Sequence, residues 1–172
     1  MVKHSVKYSA ENVKIITIIC GSESDLPITK SVVSLVPPTK AKITVHVISC
    51  HRNFYELEIL VKTHCGYVDA VIGIGSKALA LPGIVAAILQ ANFKDTPVIG
   101  VALGEPESEA FLAAKLSIEE LPDKSVIVDE TGNCYAGCEG ILQAIERIIA
   151  GTLPPPKPRT EKPVLMYAFK NF

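Results

Sequence analysis

Five short runs rich in β-branched residues, each followed by a stretch with helical spacing, constrain this chain more than any other feature. They are Lys14–Cys20 (KIITIIC), Ala41–Ile48 (AKITVHVI), Ala70–Ile74, Pro97–Ala102 and Ser125–Val128. The intervening stretches are Pro27 to about Val36, Phe54–Cys65, Pro82–Gln90 and Glu107–Leu116, and Ala136–Ala150 closes the series with an amphipathic pattern. Pro27 suits a first helical turn, with Ser24 or Asp25 as its cap, and Pro37–Pro38 stop that helix. Strands that alternate with helices at this rhythm pair in parallel through right-handed crossovers. The expected fold is therefore a three-layer α/β domain over residues 13–151, with helices on both faces of a parallel sheet.

Composition supports this reading and excludes others. With 172 residues there is room for one domain with a substantial core. The chain is 48% hydrophobic but only 6% aromatic, which describes the Ala, Val, Ile and Leu interior of a parallel sheet. The same excess leaves apolar surface for burial between subunits. A net charge of -1 leaves no concentrated basic face, so no nucleic-acid partner is expected. The longest apolar runs, Ile15–Cys20 and Leu79–Leu89, are too short to span a bilayer, so no membrane partner is expected either. Met1–Asn12 is polar, carries no signal-type stretch and reads as a flexible start, and the expected location is the cytoplasm. The cysteines Cys20, Cys50, Cys65, Cys134 and Cys138 are odd in number. The Cys134/Cys138 spacing has no second ligand pair, so they read as reduced thiols with no metal.

The C-terminal extension, residues 152–172, has a different character. Five prolines fall within Leu153–Pro163, which rules out regular helix or central strand. Val164–Phe172 then ends in apolar and aromatic residues. A disordered end is one reading; the expectation adopted is an arm whose apolar tip docks on a neighbouring subunit, since Leu165, Met166, Tyr167 and Phe169 suit a solvated tail poorly.

In an open parallel sheet, ligands bind at the carboxyl ends of the strands. Three loops there carry unusual residues. Gly21-Ser22-Glu23-Ser24-Asp25 is a strand–Gly–Ser–helix turn, whose backbone N–H groups and hydroxyls suit a phosphate and whose Asp25 suits two ribose hydroxyls. Taken alone it also fits an ordinary capped connection, and it is neither G-x-G-x-x-G nor a P-loop. Ser49-Cys50-His51-Arg52-Asn53 places His51 and Arg52 together at a strand's mouth: Arg52 offers a fork of donors for an anion, His51 a group for proton transfer. Each taken singly is also an ordinary surface residue; together with the first loop they make a shared anion site. The third loop runs from Gly73 to Gly83; Gly75, Ser76 and Leu81 line a close backbone approach, Lys77 is its one charge, and Ala and Leu supply a dry wall. His46, His64 and His4 read as structural.

These residues resemble the PurE family, the N5-carboxyaminoimidazole ribonucleotide mutases and related aminoimidazole ribonucleotide carboxylases. The resemblance is carried by Gly21-Ser22-x-Ser24-Asp25, Ser49-x-His51-Arg52, Leu81-Pro82-Gly83 and Pro97-Val98-Ile99-Gly100-Val101, collinear from about Lys14 to Ala150. It implies a flavodoxin-like five-stranded sheet of order 2-1-3-4-5, a homo-octamer with active sites at subunit contacts, and neither metal nor organic cofactor. It also implies that Gly21, Ser22, Ser24, Asp25, Ser49, Arg52, Gly75, Ser76 and Leu81 bind a ribonucleotide, that His51 stands near the reacting carbon, and that CO2 is moved on or off the ring. The third loop departs from the pattern. Bacterial mutases usually carry a His where this chain has Ala80, with one residue fewer before it. The carboxylase branch usually has Lys where Arg52 stands, and Cys50 and Asn53 replace the usual Ala and Thr. Lys77, the only ionisable side chain in the loop, is the candidate to carry the proton in place of that His. A nucleotide-binding relative without carboxylation activity, and a carboxylase of another nucleotide, are the alternatives.

Overall fold

The computed structural model describes residues 13–155. The chain order is β1 (Lys14–Cys20), α1 (Leu26–Val33), β2 (Ala41–Val47), α2 (Phe54–Thr63), β3 (Ala70–Gly75), α3 (Leu81–Ala91), β4 (Val98–Ala102), α4 (Glu109–Glu119), β5 (Tyr135–Ala136) and α5 (Gly137–Ala150). The strands form one sheet in the order β2-β1-β3-β4-β5, and every pairing is parallel. This is the flavodoxin-like arrangement that the sequence implied.

Two apolar layers cover the sheet. On one face, Ile16, Ile18, Ile72, Ile74, Ile99 and Val101 pack with Val32 of α1 and Ile141, Ala144, Ile145 and Ile148 of α5. On the other, Ile19, Val71 and Ala102 meet Leu57 and Val61 of α2, Val85 and Leu89 of α3, and Ala114 and Ile118 of α4. The central strand β3 is buried along its whole length, which is why its sequence is a continuous apolar run rather than an alternation.

The second layer lies close because of two glycines. Gly73 stands in register between Ile19 and Gly100, so two of three neighbouring positions in this row have no side chain. A Cβ on Gly73 would come within 2.9 Å of Pro82 Cγ, and one on Gly100 within 2.8 Å of Ile118 Cδ1. The start of α3 therefore rests directly on β3, and α4 rests on β4.

The fifth strand differs from its sequence assignment. Ser125–Val128 contributes a single bridge, Ile127 to Ile99, with the Ile127 N–H donating to Val98 O at 2.7 Å. The chain then leaves the sheet because Asp129 Oδ1 accepts from the N–H groups of Thr131 and Asn133 and from the Thr131 hydroxyl. A short acidic side chain that bonds its own following backbone competes with the ladder. Pairing resumes at Tyr135–Ala136 beside Val101 and Ala102. Helix ends moved for similar local reasons: Glu107 takes φ 70 and Ser108 Oγ accepts the Phe111 N–H, so α4 begins after them. Of the C-terminal extension only residues 152–155 are described; there Leu153 packs against the α1/α5 layer, and the expected apolar tip lies outside the described residues, as does the polar start.

Gly73→Ala is expected to lower stability by about 1–3 kcal/mol, the usual cost of overpacking, because Pro82 is a rigid ring at the start of a helix and cannot turn aside. Urea unfolding of the purified variant checks this; a midpoint unchanged from the parent would contradict the close α3–β3 contact.

Candidate active site

The order 2-1-3 means that the chain leaves β1 toward one edge of the sheet and β3 toward the other, so a crevice opens at their carboxyl ends. The Gly21 N–H donates to Ile74 O at 2.9 Å, which joins the first loop to the end of β3. A cavity of about 240 Å³ lies above this point. Every residue expected from the sequence to form the site lines it: Gly21, Ser22, Ser24, Asp25, Ser49, His51, Arg52, Gly75, Ser76, Lys77 and Leu81.

The first loop is held by a reciprocal pair of capping bonds. Ser22 is extended, its side chain accepts the Ser24 N–H at 3.4 Å, and Asp25 Oδ2 accepts the Ser22 N–H at 2.9 Å. This capping box closes a single 3₁₀ turn (Glu23–Asp25) ahead of α1. Asp25 is 5% exposed, and Thr29, itself buried, donates its hydroxyl to Asp25 O at 2.8 Å while lying 3.4 Å from Cys20 Sγ. Asp25 is thus an acidic group fixed at the floor of the cavity. Burial pushes its carboxyl above the ordinary value, opposed by the lowering effect of the Ser22 N–H.

The second loop turns tightly. The Asn53 N–H donates to Ser49 O at 2.8 Å and the Arg52 N–H to Ser49 Oγ at 3.4 Å. Ser49 is buried and acts as the hinge of the turn, which leaves His51 and Arg52 exposed on the rim. Lys77 stands on the third loop with φ 60, a left-handed conformation that a residue with a side chain adopts at a cost of about 1–2 kcal/mol. Its side chain is exposed, while the next residue but one, Leu79, turns inward and covers Gly75 so closely that a Cβ there would lie 2.8 Å from Leu79 Cδ1. The site is therefore a pocket with a cationic rim, Arg52 and Lys77, and one buried carboxylate, Asp25. Such a polarity suits a ligand with an anionic end and a hydroxylated middle.

The structure adds wall residues that sequence reasoning undervalued. Cys50, which replaces the usual Ala, is buried and lines the cavity, and burial raises its thiol. Ala80 sits at the N-cap of α3 without a side-chain cap bond. Together with His51 and Ala78 it also borders a second, apolar groove of about 470 Å³ formed with Ile84 and Ala87 of α3 and with Leu116 and Leu121. Leu116 closes the Glu107–Leu116 stretch of helical spacing, but nothing in the sequence said that it would adjoin the site. His46 and His64 lie outside the cavity, as expected, and His64 Nε2 is 3.1 Å from Thr17 Oγ1. Among the described residues no cluster of His, Cys, Asp or Glu is placed to hold a metal ion, and no helix is long and apolar enough to cross a membrane.

A doubly wound α/β domain with a three-loop cavity at its topological switch is thus the class this chain falls in. Residues 15–138 match the AIR carboxylase family, and the chain belongs to that family. An N5-carboxyaminoimidazole ribonucleotide mutase of Methanocaldococcus jannaschii is 38% identical over 73 residues, 42% of this chain and 45% of that protein, so the match spans less than half of the curated relative. The crystal structure of Treponema denticola PurE superposes with a TM-score of 0.52 at 15% identity, covering 80% of this chain and 88% of that one, a likeness of fold.

A carboxyl raised in the folded state makes its ionisation a cost that grows as pH rises from the ordinary carboxylate value toward the raised native one. Asp25→Asn keeps an oxygen acceptor for the Ser22 N–H and removes that cost, so thermal unfolding at pH 7 is expected to show a midpoint at or above that of the parent. A fall of several degrees would mean that the charge itself holds the loop.

Proposed function

We propose that the chain is a PurE-type enzyme of purine biosynthesis, converting N5-carboxyaminoimidazole ribonucleotide, or aminoimidazole ribonucleotide plus CO2, into 4-carboxy-5-aminoimidazole ribonucleotide. The observation that carries this reading is the convergence of Ser22 and Asp25, His51 and Arg52, and Ser76 and Lys77 on one cavity in a chain of the AIR carboxylase family. The name of the archaeal relative supports the mutase direction.

In this reading Ser22, Ser24 and Arg52 hold the phosphate, with charge-assisted bonds from the guanidinium. Asp25 accepts from the ribose hydroxyls; its depth at the cavity floor fits that role, with Oδ2 held by the Ser22 N–H and the other oxygen left to accept. The glycine backbones and Leu81 flank the ring. The exocyclic N–C bond then breaks, its electron pair returns to nitrogen, and CO2 is released within the pocket. The ring carbon attacks that CO2 and gives up its proton, and the nitrogen takes one, so the isomerisation balances with a single proton moved. His51 and Lys77, which both line the cavity, carry it in this reading. The chain must hold CO2 against water meanwhile, which the Leu79, Ala80 and Leu81 wall favours. No oxidant or reductant enters this balance. A homo-octamer whose neighbouring subunit covers the apolar groove beside His51 and Ala80, with the C-terminal arm docked on a neighbour, and a cytoplasmic location complete the proposal.

The test supplies N5-carboxyaminoimidazole ribonucleotide to one sample and aminoimidazole ribonucleotide with bicarbonate to another, following product by ultraviolet absorbance. Product from the first alone establishes a mutase, and product only from the second a carboxylase. Nucleotide-dependent stabilisation without turnover would overturn the enzymatic reading in favour of a binding protein. Arg52→Ala is expected to reduce kcat/KM about 100-fold, the scale of a charge-assisted phosphate contact. Lys77→Ala is expected to reduce kcat by about 10²–10⁴ with little change in KM, the range for a general acid–base group; full turnover in that variant would assign the proton to His51 alone.

A further inference from the structure

The side of the sheet beneath α2 carries two imidazoles that the proposed chemistry does not use. His46 stands near the end of β2 and His64 follows the last turn of α2, and their rings meet edge to face with centroids 6.2 Å apart. His64 Nε2 is 3.1 Å from Thr17 Oγ1, and Thr17, fully buried on β1, is 3.4 Å from Thr44 Oγ1 on β2. A continuous polar seam thus joins α2 to both strands at the edge of the sheet. Apolar packing there is thinner than in the centre: β2 is largely half-exposed, and Val47 on it and Ile59 on α2 are 42% and 45% exposed.

The other charges around the seam are occupied or distant. On α2, Lys62 and Glu58 bond each other at 2.7 Å, and Glu56 is exposed. On β1, Lys14 pairs with Asp69 at the far end of the strand. On β2, Lys42 shares the side of Thr44 and His46 and adds a like charge, not a partner. In the turn after α2, the buried Cys65 thiol is pushed up to about 12 and stays neutral, and Lys94 lies over the Tyr67 ring. Among the described residues no carboxylate is hydrogen-bonded to either imidazole. An imidazolium at His46, half removed from water and beside a second imidazole, would have no carboxylate among the described residues to offset its charge.

The two elements joined by this seam are the two flanks of one loop: β2 leads into Ser49–Asn53 and α2 leads out of it. We propose that the His46–His64 contact is an acid-sensitive clamp, seating α2 on β1 and β2 while the His46 ring is neutral and releasing α2, with the His51–Arg52 loop at its start, when that ring takes up a proton. Burial and the neighbouring His64 both hold His46 below the ordinary imidazole value. A base depressed in the folded state contributes stability above its unfolded value of about 6.5, and that contribution is lost as pH falls from there toward the native value. The proton taken up by His46 on release raises the opening constant of α2 up to tenfold per pH unit across that window.

The test uses the full chain without ligand. Histidine ring resonances are followed from pH 8 to 5 by NMR, and amide hydrogen exchange of α2 is compared with that of β3. The proposal expects His46 to titrate below about 6.5, and protection at Leu57 and Val61 to fall several-fold more than at Val71 and Ile72 between pH 7 and pH 5.5. It also expects His46→Gln combined with His64→Gln to remove that difference. Titration of His46 at or above its ordinary value, or an α2 that loses no more protection than β3, would overturn it. So would an acid response that persists in the double variant; if that variant does not fold, titration and exchange in the parent chain decide by themselves.

Discussion

The contact of Pro82 with the bare Cα of Gly73 sets where α3 begins, and much else follows from it. Were Gly73 any larger, the first turn of α3 would ride higher on the sheet, since the added carbon would lie 2.9 Å from the proline ring. Ala80 and Leu81 would then withdraw from the end of β1, and the third loop would no longer face the first. Gly100 does the same for α4 through Ile118, which brings Leu116 and Leu121 beside the site. Two missing side chains in one row of the sheet therefore decide the depth of the cavity. The apolar layers supply the driving force, but close approach supplies the position.

The site also shows how stability and function divide. Asp25 is kept buried with its charge at some cost, and Lys77 keeps a strained backbone that places its ammonium on the rim. The Asp25 carboxyl caps the first turn, but its buried charge and the left-handed backbone of Lys77 both cost the domain stability. In the proposed function both are matched by a ligand that brings its own hydroxyls and negative charge, the pattern expected where local rules are broken for the sake of a site. Cys50 and Leu79, by contrast, serve core and cavity wall at once, so the walls of the pocket are as rigid as the interior behind them.

Much of this was legible in the sequence. Strand and helix alternation is a period-based signal, and the four strands from Lys14 to Ala102 emerged within a residue or so of where the β-branched runs lie. That three loops share one cavity was legible because a doubly wound fold gathers loops from one end of its strands, so Gly21–Asp25, Ser49–Asn53 and Gly75–Leu81 had to meet. The fifth strand was not, because Ser125–Val128 has the composition of a strand while the decision to leave the sheet rests on one side chain, Asp129, folding back on its own backbone. Nor was the groove beside Ala80, which depends on how closely α4 sits against β4 and hence on a glycine that looks unremarkable in sequence.

The central claim is that these three loops form one nucleotide site. A crystal structure of the chain with 4-carboxy-5-aminoimidazole ribonucleotide bound tests it most directly. The account predicts the phosphate within hydrogen-bonding distance of Ser22 and Arg52, the ribose hydroxyls on Asp25, and the ring carboxylate facing Lys77 or His51. A nucleotide seated elsewhere, or one in this cavity with its phosphate turned away from Arg52, would contradict it.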